Sequence, residues 1–145
     1  MINLYTIGFT KSPARNFFNR LSGAGVTSII DTRLNRVSQL SGFAKQEDLK
    51  FFLKELVNVE YNVEEALAPT SDILNAYRKK EISWSEYAQK YVDLLARRDV
   101  AKKLDVSTFH GVCLLCSEAT PEHCHRRLAA NYLAEARSDI KITHL

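Results

Sequence analysis

Short apolar runs alternate with helix-patterned segments from one end of the chain to the other, and that alternation admits few architectures. Residues 2–7 read as a first strand, ended by Gly8. Residues 26–31 read as a second, mostly apolar, as expected of a strand covered on both faces. Val59, Tyr61 and Val63 alternate as a third, residues 111–116 form a fourth, and residues 140–144 a fifth. Between them lie helical patterns. Ala14, Phe17, Phe18 and Leu21 take the i, i+3, i+4, i+7 spacing of one buried face. Ser12-Pro13 start that helix as N-cap and first position, and Gly23 and Gly25 stop it. Leu49, Phe52, Leu53 and Leu56 form the next apolar face. Further helices are expected near residues 71–80 and over 84–104. The second has Ser83 and Glu86 in capping-box spacing, with Trp84, Tyr87, Ala88, Tyr91 and Leu95 on a common face. A last helix is expected from a cap at Thr120-Pro121 to about Arg137. The order predicts one α/β domain over residues 1–145, three layers deep. Its sheet would be mainly parallel, with about five strands flanked by helices.

A chain of 145 residues with 46% hydrophobic content can build its own core without disulfides. The three cysteines, all between positions 113 and 124, are expected to be reduced thiols with chemical or packing roles rather than a disulfide framework. No run approaches the roughly 18 apolar residues of a membrane span. The N-terminal residues lack the basic and apolar regions of a signal peptide. The expected compartment is the cytoplasm, with no membrane partner. The net charge of +3 is compatible with an anionic substrate or nucleic acid, but a solvated surface with a small basic excess is the favoured explanation.

In parallel α/β sheets, sites form outside the carboxyl ends of the strands. That rule gathers residues 8–12, 31–33 and 116–118 with His144. The densest stretch is Cys-Ser-Glu-Ala-Thr-Pro-Glu-His-Cys-His-Arg at 116–126. Cys116, at a strand-to-helix turn, reads as a nucleophile, sulfur carrier or thiolate ligand, or equally as a buried small hydrophobe. Cys113 reads as core. Asp31 is a candidate general base or hydrogen-bond acceptor and Arg33 a candidate anion clamp, with an internal Asp–Arg ion pair as the equal alternative. Arg126 could bind an anion together with free amides at the helix start. Cys124 and His125 fall in the first turn and a half of the expected helix, facing back to Cys116 or simply packing.

Zinc has the right donor types in Cys116, His123, Cys124 and His125. The Cys-x7-Cys spacing is not a usual knuckle, however, and no second ligand pair exists. Adjacent helical residues also point about 100° apart, so no metal is expected. Phosphatase and sulfurtransferase loops fail on spacing, because Glu122 and His123 stand where their arginine belongs. The segment from Arg33 to Lys45, with Arg36, Ser38, Ser41 and Phe43, reads as a binding or lid segment that could contact nucleic acid. The turn at residues 8–12 carries no GxGxxG or Walker pattern. Arg97, Arg98, Lys102 and Lys103 read as a solvated helix face.

Several of these segments occur in a characteristic order. They are Thr6-Ile7-Gly8 with Thr10, Asp31-Thr32-Arg33, Ser41-Gly42-Phe43, Leu115-Cys116-Ser117-Glu118, Cys124-His125-Arg126 and His144. Together they resemble the bacterial and archaeal domain-of-unknown-function family 488, over nearly the whole chain. The Cys-x-Glu…Pro-x-x-Cys-His-Arg element is the most specific part. Phe9 departs from the family, where His is common, and so does Thr32, where Val is usual. The resemblance implies a small cytoplasmic α/β protein with a polar site at these positions. It implies no particular reaction or cofactor.

The leading expectation is a small enzyme or anion-binding domain acting on a phosphate-bearing ligand, a nucleotide or nucleic acid. Cys116, Asp31 and Glu118 would carry chemistry. Arg33, Arg126, Thr10, Cys124, His125 and His144 would bind or support. Beside it stand a non-catalytic nucleic-acid or protein interaction module and, with least weight, a zinc-binding domain. Cofactor and oligomeric state are left unassigned.

Overall fold

All five expected strands form among residues 1–37, 42–118 and 122–145, the residues described by the computed structural model. They are β1 (Ile2–Gly8), β2 (Ser28–Asp31), β3 (Glu60–Val63), β4 (Val112–Cys116) and β5 (Ile140–His144). Every pairing is parallel, in the order β3-β2-β4-β1-β5. The helices are α1 (Ala14–Ala24), α2 (Gln46–Val57), α3 (Ser71–Arg78), α4 (Trp84–Arg97), α5 (Val100–Lys103) and α6 (His125–Ala136).

The period of two along each strand divides the interior into two cores, one on each face of the sheet. Cys113 and Leu115 of β4 pack with Phe17, Phe18 and Leu21 of α1 and Leu49 and Leu53 of α2. Val112 and Leu114 face the other way, onto Tyr87, Tyr91 and Leu95 of α4 and Ala129, Ala130 and Leu133 of α6. The three layers follow from this alternation. Each fully buried Leu, Ile or Phe contributes about 1.5–3 kcal/mol, so the two cores hold the fold without a covalent framework. Among the described residues no helix is long and apolar enough to cross a membrane.

Some boundaries differ from expectation for local reasons. Pro13, not Ser12, stands at the N-cap of α1. The Ser12 hydroxyl instead accepts a hydrogen bond from Arg20 Nη2 at 3.0 Å. Gly25 ends α1 with a left-handed φ of 73°, and the Ser83–Glu86 capping box opens α4. Leu56, expected on the buried face of α2, is exposed. The helix expected over 84–104 breaks at Asp99, whose left-handed φ of 55° is one that Asp tolerates better than most residues. The last helix begins at His125, and Cys124 precedes it in extended conformation (φ −133°, ψ 138°). The expected Thr120-Pro121 cap and the loop residues Ser38 and Ser41 lie outside the described residues.

Candidate functional site

Strand parity decides where Cys116 points. As the last residue of β4 it shares the side of Val112 and Leu114, so it faces α4 and α6 rather than α1 and α2. There it lines a pocket at the carboxyl ends of the strands, with Cys124 and His125 from the start of α6 and Arg33 from the end of β2. Glu118 and His123 also contribute to the lining. The α3 and α4 side is mainly apolar and aromatic, made by Leu74 and Tyr77 of α3 and by Trp84 and Tyr87 of α4, with Arg78 at the end of α3 adding a second cation. Trp84 stacks on Tyr87 with ring centroids 5.3 Å apart, and the His123 ring centroid lies 5.0 Å from that of Trp84. The pocket holds about 80 Å³. That volume matches a small ion or a phosphate group, well below the roughly 300–1,000 Å³ of sites that enclose whole drug-sized ligands.

Arg33 supplies a cation to this pocket although only 4% of it is exposed. Asp31, fully buried, holds it: Arg33 Nε and Nη2 donate to the carboxylate at 2.9 and 2.7 Å, and the Arg33 backbone N–H donates at 3.0 Å. The Tyr61 hydroxyl donates to the same carboxylate at 2.5 Å. Burial, followed by the hydrogen bond to Asp31, pushes the Tyr61 phenol well above its ordinary range. The guanidinium lies over the Phe9 ring, 5.2 Å from its centre. One nitrogen is left over: Arg33 Nη1 is buried and has no hydrogen-bond partner among the described residues.

The second cluster lies around Cys116. The extended conformation of Cys124 turns its side chain back toward β4, and the two sulfurs meet at bonding distance. Both cysteines are almost fully buried. Where the sequence favoured unpaired thiols, the fold brings two together. The pairing is local, spanning 8 residues, and ties no distant elements. Arg126, fully buried, braces the turn: its Nη1 donates to the Glu118 carbonyl at 2.5 Å and lies 3.4 Å from Cys116 Sγ. Burial pushes its guanidinium down to about 10, which leaves it cationic at neutral pH. His125 Nε2 meets the Thr32 carbonyl at 2.8 Å and the Thr32 hydroxyl at 3.0 Å. A carbonyl only accepts, so Nε2 carries the proton. Burial holds the imidazole down to about 4, so the ring is neutral and its bare nitrogen is Nδ1.

A family model described as domain of unknown function DUF488 matches residues 13–133. The chain belongs to the DUF488 family. No curated protein and no solved structure matches it. The DUF488 match contains Asp31, Arg33, Cys116, Glu118, Cys124, His125 and Arg126, and leaves Thr10 and His144 outside. The two departures noted in the sequence have structural consequences here. Phe9 is a buried platform under Arg33, and the Thr32 hydroxyl bonds both the Leu115 carbonyl, at 2.8 Å, and the His125 ring.

Other expected site residues of this DUF488 chain lie apart from the pocket. Thr10 bonds the Ser117 carbonyl through its backbone N–H at 2.9 Å and lines a separate surface groove with Lys11 and Ser12. His144 Nδ1 meets Thr6 Oγ1 at 2.6 Å, and the same oxygen accepts from Arg126 Nε at 3.3 Å, so His144 reaches the cluster only through Thr6. Phe43 is packed against Phe9, Phe17 and Phe18. Arg36 is engaged by Glu65 at 3.0 Å and Gln46 at 3.1 Å. Arg98, read as solvated, instead donates to the Ala66 and Ala68 carbonyls at 2.9 and 2.7 Å. Tyr77, Trp84 and His123 were not anticipated as pocket walls. Helical periodicity marked Trp84 and Tyr87 as inward-facing, and nothing in that pattern separates a core position from a pocket wall at a helix start.

Proposed function

We propose that this DUF488 domain binds a phosphate-bearing ligand, a nucleotide or nucleic-acid end, with the phosphate at Arg33 and the remainder of the ligand at the mouth beside Trp84 and His123. The observation that carries this reading is Arg33 Nη1. A buried guanidinium N–H without an acceptor costs about 1–3 kcal/mol or more, and an oxyanion in the pocket supplies the missing acceptor. Asp31 and Tyr61 then act as positioning residues that hold the guanidinium in place. Among the described residues the carboxylate's hydrogen bonds all serve this task, which leaves Cys116 and Glu118 as the expected chemical groups that line the pocket itself. The volume suits one phosphate group, and the aromatic wall offers a stacking face to a base. An interaction surface built on residues 33–45 has less support, since Arg36 is taken up by Glu65 and Gln46.

Trp84 is the sole tryptophan, so its indole N–H is a single reporter by NMR. Inorganic phosphate and adenosine monophosphate are expected to shift it saturably, with adenosine alone much weaker. The Asp31→Leu/Arg33→Met double variant should abolish the phosphate response. A double variant that stays folded and responds as the parent does would refute the reading.

A further inference from the structure

Three soft or borderline donors converge at the pocket floor: Cys116 Sγ, Cys124 Sγ and a ring nitrogen of His125, all within 4.8 Å of one another. We infer that Cys116, Cys124 and His125 form a zinc-class metal site with a fourth coordination position open to the pocket. The inference stands on the thiols and imidazole and does not depend on anion binding at Arg33.

Several observations favour an ion between these groups over a bare sulfur pair. The Cα atoms of Cys116 and Cys124 are 7.3 Å apart. Relaxed disulfides usually span about 4.4–6.8 Å, and bridging a wider gap requires the backbone to move. Two thiolates about 2.3 Å from one tetrahedral ion sit roughly 3.7 Å from each other, a wider spacing than the roughly 2.05 Å of a disulfide and so better matched to widely separated Cα atoms. His125 already has the arrangement expected of a ligand. Its Nε2–H is given to the Thr32 carbonyl at 2.8 Å, which fixes the tautomer and leaves Nδ1 as the nitrogen free to bind a metal. The objection that adjacent helical residues diverge does not apply, because Cys124 is extended and the helix starts one residue later.

The charges also balance. Two thiolates neutralise a divalent ion, and binding to the reduced protein releases the two thiol protons to solvent. Arg126, whose Nη1 donates to Cys116 Sγ at 3.4 Å, adds a positive charge beside the neutral cluster and biases the fourth position toward an anion or hydroxide. All three donors line the pocket, so three protein ligands with one exchangeable position is the pattern of a reactive rather than a closed structural site.

The test uses full-length protein reduced with a phosphine, freed of reductant without air, and titrated with cobalt(II). One equivalent should produce thiolate-to-metal charge transfer and the visible bands of tetrahedral cobalt, and zinc should erase both. Cys116→Ser, Cys124→Ser and His125→Gln should each weaken zinc binding more than about 100-fold. Cys113→Ala, altering a buried core thiol on the opposite face, should leave it unchanged. Circular dichroism separates loss of fold from loss of metal. Reduced parent protein that shows no cobalt charge transfer, or a Cys116→Ser variant that folds and binds zinc as the parent does, overturns the inference. A pair that only cycles between thiols and disulfide gives the first of these results. Phosphate shifts at Trp84 are measured separately on metal-free protein, so failure of either reading is distinguishable from failure of the other.

Discussion

Replacing Asp31 with leucine strands a guanidinium in the interior, and the cost follows from the geometry. Asp31 is fully buried and Arg33 is 4% exposed, so neither charge is compensated by water. The carboxylate takes Nε, Nη2 and the backbone N–H of Arg33 and the hydroxyl of Tyr61. Breaking a buried pair from one side costs about 3–5 kcal/mol. That is a fifth or more of the roughly 5–15 kcal/mol that stabilises a typical domain. In a chain of this size it lowers Tm by about 10–15 °C. Arg33→Met should cost less, because the carboxylate keeps Tyr61 and one backbone donor. The Asp31→Leu/Arg33→Met double variant replaces the pair with apolar groups of similar size and should return to within about 1 kcal/mol of the parent. Urea unfolding followed by circular dichroism measures all four proteins. Phosphate should raise the midpoint of the parent and leave the double variant unmoved, since only a species that binds the folded state shifts it. If Asp31→Leu costs less than about 1 kcal/mol, the value of an exposed pair, the argument from burial is refuted. Additive single costs would refute the coupling.

Three further perturbations probe other parts of the structure. Gly8→Ala would put a Cβ 1.5 Å from the Glu118 carbonyl and 2.6 Å from Arg126 Nη1, so strand end or turn must move about 2 Å. We expect at least about 1–3 kcal/mol of destabilisation in thermal unfolding, and an unchanged Tm would contradict the close approach. Tyr61 has its phenol raised in the folded state, so its contribution is complete below the unfolded value of about 10 and fades as pH climbs beyond it. Tyr61→Phe should therefore flatten the loss of stability above about pH 10, and identical alkaline slopes would refute this. Arg98→Met removes donors to the Ala66 and Ala68 carbonyls and should cost about 1.5–3 kcal/mol by urea unfolding. No measurable change would return Arg98 to the solvated helix face.

Much of this architecture was legible because it rests on local periodicity. The alternation of Cys113 and Leu115 with Val112 and Leu114 needs no tertiary information to predict two buried faces. The capping box at Ser83 and the stop at Gly25 are likewise local, and both appear where the residues put them. Arg98 was misread because a basic run looks solvated until the carbonyls of Ala66 and Ala68, about thirty residues away, are found beneath it. The inward face of Trp84 and Tyr87 was legible, but not its place in a pocket wall, because the two residues obey the same pattern whether core or ligand lies in front of them.

What the amino-acid order determined by itself is a parallel three-layer α/β domain, the carboxyl edge where its polar residues collect, and the face of β4 to which Cys116 belongs. Each follows from a two-residue or 3.6-residue repeat, and such repeats act within one element. Which groups meet at that edge was decided only in three dimensions. Asp31 is sealed behind Arg33 by Tyr61 from the neighbouring strand, and Nη1 of that arginine is left without an acceptor among the described residues. Cys124 reaches Cys116 because the backbone stays extended until His125, and Thr32 turns the His125 ring into the same corner. These contacts join residues up to 93 positions apart, and no periodicity along the chain encodes a distance of that kind.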